Sequence, residues 1–274
     1  MAVYRHFDQH ALDAEYNLRA RVPEHPEFFA RWAAESAAVR RSLRCKLDVA
    51  YGRSDIERLD VFPAARKGAP VLVFIHGGYW RSLDKGDFSY LAPAYVEAGV
   101  TFVSVNYALA PNVRMDEIVR QARAAVAWVR AKARTLGCDP SAVFVAGHSA
   151  GGHLATMAAT PNPVQGVCSV SGLYDLEPVR HAFVNEDLGL DEATAHRNSP
   201  QHLAPPANTP VVLAIGSEET AEFKRHQAEF AAIWRVARSL EIPGRHHYSV
   251  IDAFGDRDHG LFGTVLDMID GRLD

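Results

Sequence analysis

Apolar runs recur along the chain at intervals set by helix-like stretches between them. Val71 to Ile75, Val100 to Val105, Ala142 to Ala146, Val167 to Val170 and Val211 to Ile215 are apolar on both faces. Strands of that kind belong to a parallel sheet covered by helices on each side. The stretches Met115 to Thr135 and Glu219 to Leu240 place Ala, Ile, Val and Trp at helical spacing and predict two of those helices. His247 to Ile251 predicts a last strand, and a final helix is expected to begin near His259.

The ends differ from this middle. Between Asp8 and Arg44 the chain is charged and Ala-rich, and Pro23 and Pro26 mark the break between two predicted surface helices. Cys45 to Tyr51 and Arg58 to Phe62 alternate in polarity around the turn-like Gly52 to Asp55, which predicts an antiparallel hairpin. The Pro-rich stretch Pro200 to Pro210 reads as a loop entering a strand. The expected architecture is one α/β domain over residues 1–274, with 1–44 as a helical extension.

Composition narrows the functional classes. At 274 residues and 48% apolar content the chain can bury a large core. Its 29 basic and 33 acidic residues give a formal charge of -4 without a long basic run, which argues against nucleic acid as a partner. Cys45, Cys138 and Cys168 lack CxxC spacing and suit a reducing, cytoplasmic setting. The polar start MAVYRHFDQH predicts neither a signal peptide nor a membrane span. A homo-oligomer is left open.

Candidate chemistry sits at the ends of the predicted strands. Gly147-His148-Ser149-Ala150-Gly151 follows the strand AVFVA and precedes the helix-like HLATMAA. A G-x-S-x-G in that context forms a sharp turn that lifts Ser149 above the sheet as a nucleophile. The alternative is a Gly-rich turn that only packs helix on strand. His76-Gly77-Gly78-Tyr79-Trp80 follows VLVFI, where glycines let backbone N–H groups approach a reacting carbonyl. Gly77, Gly78 and Ala150 are the expected oxyanion-hole residues. His76 reads as a loop-holding ring bonded to backbone, while Trp80 fits either core or pocket wall, and Tyr79 and Trp80 are the nearest candidates to hold a flat substrate ring.

In a Ser, acid, His order the base comes last. His259, after HYSVI and the loop DAFGDRD, is the expected base, with His246 and His247 read as strand residues on the far edge of the sheet. His181, His196, His202 and His226 read as loop or helix-face residues. The acid belongs just beyond VVLAI, where Glu218 and Glu219 both qualify and one of them caps the following helix.

From about Tyr51 to the end, the HGGYW loop, GHSAGGHL, SGLYDLEPV and EETAEFKRHQ together resemble the arylformamidase (kynurenine formamidase) family. That family lies within the hormone-sensitive-lipase-like branch of the α/β-hydrolases. It carries H-G-G-x-W, matched by His76, Gly77, Gly78 and Trp80, rather than H-G-G-G. Its acid, usually Asp, stands three residues before a Glu-Phe pair. With Glu222-Phe223 as that pair, the resemblance implies Glu219 as the acid, with Glu replacing Asp, and carries the nucleophile and base onto Ser149 and His259. It implies a small-molecule acyl amide or ester as substrate and no cofactor. The H-x-x-x-D-x-H ligand pattern of metal-dependent formamidases does not occur. A short-chain carboxylesterase is the rival reading, and a noncatalytic binding protein on the same fold the rival of another class. The N-terminal helices are expected either to cover the site or to form a stabilising surface layer.

Overall fold

The computed structural model of the chain describes residues 1–160, 164–234 and 236–273. Three helices open it: α1 (Gln9–Tyr16), α2 (Leu18–Arg21) and α3 (His25–Ser42). Asn17 splits the first expected helix in two, because its side chain caps α2 by accepting from Ala20 N while its backbone N–H closes α1 on Asp13. The expected hairpin follows as β1 (Lys46–Ala50) and β2 (Arg58–Phe62).

The rest alternates strand and helix: β3 (Ala69–Ile75), α4 (Ala92–Glu97), β4 (Thr101–Val105), α5 (Met115–Lys132), β5 (Cys138–His148), α6 (Ala150–Ala158) and β6 (Gly166–Val170). Three short helices, α7 (Glu177–His181), α8 (Asn185–Leu188) and α9 (Glu192–Arg197), lead to β7 (Val211–Gly216). The chain ends with α10 (Ala221–Trp234), β8 (Arg238–Ile242), α11 (Val250–Gly255) and α12 (Gly260–Ile269). The eight strands form one sheet in the order β1-β2-β4-β3-β5-β6-β7-β8. Pairs involving β2 are antiparallel and all others parallel. Every residue of β3 is buried, as its unbroken apolar run requires. On α5 the buried Met115, Ile118, Val119, Ala122, Ala125, Val126 and Val129 recur at three- and four-residue intervals, so one stripe meets the sheet.

Two expectations near the C-terminus fail. Arg238–Ile242 is an edge strand paired with β7, not the end of a helix running from Glu219. Its mostly exposed polar residues are what the solvated face of a helix would also show. Conversely, His247 to Ile251 is not a strand. Val250, Ile251, Ala253 and Phe254 are buried in the short helix α11, and a helix hidden on most sides carries the same dense apolar run as a buried strand.

Candidate active site

The parallel strands share one direction, so the loops after their carboxyl ends converge, which is where open α/β sheets place their sites. Ser149 follows β5, the HGGYW loop follows β3, Glu219 follows β7, and the loop 243–249 follows β8.

Ser149 adopts φ 57°, ψ -122°, a strained conformation for a residue with a side chain. The turn is enforced by crowding. A Cβ on Gly147 would come within 2.1 Å of the Gly151 carbonyl oxygen, and one on Gly151 within 1.9 Å of the Ile75 oxygen. The Ser149 N–H donates to Val170 O at 2.8 Å, tying the elbow to β6. Ala150 N begins α6, where the helix dipole favours negative charge.

The HGGYW loop presses against this turn. A Cβ on Gly77 would lie 3.1 Å from the Ser149 Cβ, and Gly78, at φ 105°, lines the same cleft as Ser149. His76 is buried, as expected of a structural ring: Nδ1 donates to Gly77 O at 2.8 Å, the ring stacks on Tyr107 at 4.4 Å, and burial lowers its pKa. Tyr79 lines the cleft and donates its hydroxyl to Tyr16 O at 2.7 Å. Trp80 does not. It is fully buried, and its indole donates to His153 Nδ1 at 3.1 Å, so it belongs to the core beneath the loop rather than to the substrate-facing wall.

Glu219 is buried and Glu218 exposed, which separates the two candidate acids. Glu219 Oε1 accepts from Gly216 N at 3.1 Å and from the Ser171 hydroxyl. Its Oε2 accepts from Nδ1 of His247 at 2.7 Å. The structure does not bring the expected base, His259, to this pair. His259 caps α12, its Nδ1 accepting from Leu261 N at 3.1 Å, and it lies outside the cleft that contains Ser149 and His247. His247 meets the condition set for the base, a place on the loop after the last strand, once that strand is recognised as Arg238–Ile242. With Nδ1 committed to Glu219, Nε2 is the nitrogen free to act on a hydroxyl. His148 fixes the loop from below by donating Nε2–H to His247 O at 2.9 Å, and burial together with the neighbouring His247 holds the His148 pKa well below its ordinary value.

The cleft has about 600 Å³ of space, its open mouth included, and is lined by Phe29, Trp32, Tyr79, Phe183 and Tyr248 around Ser149 and His247. The N-terminal helices supply part of this wall through Tyr16, Leu18, Arg19, Phe29 and Trp32. Their seat is a buried polar cluster that residue spacing does not announce. His226, expected on a solvated face, is buried, with Nε2 2.9 Å from the Tyr16 hydroxyl and Nδ1 facing the N–H groups of Tyr174 and Asp175. Tyr16 also donates to Glu222 at 3.2 Å.

The elbow, the loop amides beside it and the paired acid and imidazole on an eight-stranded, mostly parallel sheet define a serine hydrolase of the α/β-hydrolase fold. Comparison with known proteins agrees. A family model described as BD-FAE matches residues 59–220, more than half of the chain, and the chain belongs to that family. It is 32% identical to kynurenine formamidase of Salmo salar over 244 residues, 81% of each chain, and 31% identical to that of Danio rerio over 242 residues, again 81% of each. Esterase LipC of Mycobacterium tuberculosis is 29% identical over 238 residues, 73% of this chain and 58% of LipC. A solved structure from Silicibacter sp. tm1040, provisionally named a thioesterase, has a TM-score of 0.86 at 29% identity, covering 93% of this chain and 98% of the other. Among the described residues no helix is long and apolar enough to cross a membrane, and no cluster of His, Cys, Asp or Glu could hold a metal ion.

Proposed function

We propose that the protein is an arylformamidase of the N-formylkynurenine type, acting through Ser149, His247 and Glu219. The observation that carries this reading is that Ser149 and His247 line one cleft walled by aromatic rings, in a chain similar to kynurenine formamidases over most of its length. His247 Nε2 takes the Ser149 proton as Oγ attacks the formyl carbonyl. The same nitrogen then protonates the departing aryl amine, and water, activated in turn by His247, releases formate from the acyl-enzyme. Glu219 holds the Nδ1 tautomer and stabilises the imidazolium. The N–H groups of Ala150 and of the Gly77-Gly78 turn are assigned to the oxyanion, each such donor contributing about 3 kcal/mol in the transition state. The residue set needs no cofactor.

The whole chain is read as one catalytic unit in which residues 1–44 cover the site. Free thiols at Cys45, Cys138 and Cys168 are consistent with a cytoplasmic setting. The mycobacterial esterase relatives favour a second reading, a short-chain carboxylesterase with the same catalytic residues. Turnover of N-formylkynurenine against formyl, acetyl and butyryl esters of one phenol separates the two. A tight acyl side predicts that each methylene that clashes costs about 1 to 3 kcal/mol. A preference for butyryl over formyl with no formamide cleavage would establish the esterase reading instead.

A further inference from the structure

Two guanidinium groups line the cleft, and they differ in how they are neutralised. Arg81 is ion-paired with Asp187 and lies 5.5 Å from the Phe183 ring centroid. Arg19, on α2, has no carboxylate partner among the described residues. It reaches Ser82 Oγ at 3.5 Å, the outer limit of a hydrogen bond, lies 5.8 Å from the Phe29 ring centroid, and lines the same cleft as Tyr248. Elsewhere in the N-terminal segment Arg5 is paired with Glu229 and Arg31 with Asp252, while Arg40 donates to Gly86 O and Ser89 Oγ.

The wall around Arg19 offers nothing to balance it. No Asp or Glu is among the described residues that line the cleft. Glu219 stands behind His247 with both oxygens engaged by Gly216, Ser171 and His247. A cation on the wall of an aromatic cleft has its complement in an anion delivered by the occupant, and the planar fork of Arg matches a carboxylate. Arg19 lies over Phe29, and Tyr248 lines the same cleft, rings suited to hold a flat group, so the anion is best carried on the aromatic part of the substrate.

We propose that Arg19 is a specificity-determining residue that receives a carboxylate borne by the aromatic leaving group of the substrate. This rests on the serine-hydrolase site as described and not on which acyl bond is cleaved. Arg19 is exposed at its helix and its replacement leaves the buried cluster around Tyr16 intact.

The test uses two matched pairs, phenyl acetate with 3-carboxyphenyl acetate and formanilide with 2-carboxyformanilide. The reading is the ratio of kcat/KM, carboxylated over neutral, within each pair, so that any general loss of activity cancels. The wild-type enzyme should favour the carboxylated member, and R19A should lower the ratio on the order of tenfold, mainly through KM, with R19K restoring part of it. A ratio that R19A leaves unchanged overturns the assignment and reduces Arg19 to packing. If neither formamide is cleaved while the ester ratio collapses in R19A, the formamidase reading fails and the Arg19 assignment stands. If the formamides are cleaved and R19A alters neither ratio, the Arg19 assignment fails and the formamidase reading stands. Inhibition of the wild-type enzyme supplies a check without mutation. Benzoate should lose affinity as salt is raised while benzyl alcohol does not, and equal salt responses would count against the proposal.

Discussion

His247 donates its Nδ1 proton to Oε2 of Glu219 across 2.7 Å, bridging two loops whose residues are 28 positions apart in the chain. The loops that carry them follow adjacent parallel strands, β7 and β8, paired from Val212–Arg238 to Gly216–Ile242. Sheet register therefore brings the two loops side by side, and the side chains close the remaining gap.

The first prediction separates the two histidines. His247→Gln should lower kcat by about three orders of magnitude or more, as loss of a triad member does elsewhere. His259→Ala should leave turnover near wild type and cost about 1 kcal/mol through the lost cap of α12, while His259→Asn keeps a capping side chain and most of that stability. Steady-state kinetics with urea unfolding of all three variants checks this. A crippled His259→Asn enzyme would restore His259 as base.

The second concerns the acid. Glu219→Gln should cut kcat by orders of magnitude, whereas the exposed Glu218→Gln should be mild. Ser171→Ala removes one hydrogen bond to the carboxylate without touching substrate, so kcat should fall by about tenfold with KM little changed. A change in KM alone would place Ser171 elsewhere in the mechanism.

Why the sequence points to His259 while the structure places His247 beside Glu219 has a physical answer. Ser149 is marked by glycines that a tight turn demands, and buried strands such as β3 and β7 by unbroken apolar runs. The Arg238–Ile242 strand, at the sheet edge, buries little and has no such signature, and α11 imitates a strand because it is packed on most sides. With His247 to Ile251 taken as the last strand, the positional rule points to His259; with Arg238–Ile242 as that strand, it points to His247, the base we propose. Trp80 is undecidable from sequence for a related reason. Whether a bulky ring faces core or cleft depends on the left-handed φ of 57° at that residue, and spacing does not encode it.

The third prediction is a dependence of stability on pH. Burial lowers the pKa of His153 from 6.5 to about 4, and its neutral ring accepts from Trp80 and donates to Asn198 O at 2.7 Å. Because the folded state resists protonation, the unfolded chain binds the extra proton as pH falls below 6.5, and stability drops until about pH 4. The contribution is about 3 kcal/mol over that window. Buried His148 and His226, both also held well below their ordinary values, act in the same direction. Urea midpoints at pH 7.5 and 4.5 should differ markedly, and less so in His153→Gln. An equal slope in that variant would exclude His153 as a contributor.

The fourth tests the elbow. Gly151→Ala places a methyl 1.9 Å from the Ile75 carbonyl oxygen, a backbone atom that cannot swing aside. The variant should lose activity and unfold at lower temperature, whereas Gly263→Ala, in open space on α12, should be neutral or slightly stabilising. Thermal unfolding of both reports the difference.

The seating of α1 to α3 over the cleft divides labour along the polypeptide. The groups we assign to the reaction come from residues 149 to 247, on turns dictated by the sheet, while much of the cleft lining comes from residues 16 to 32. These two lengths of chain can vary separately wherever the buried contact of Tyr16 with His226 and Glu222 is kept. A relative that exchanged only its first few dozen residues would inherit the same proton relay with a different appetite, so selectivity in this scaffold is transplantable by grafting one terminus.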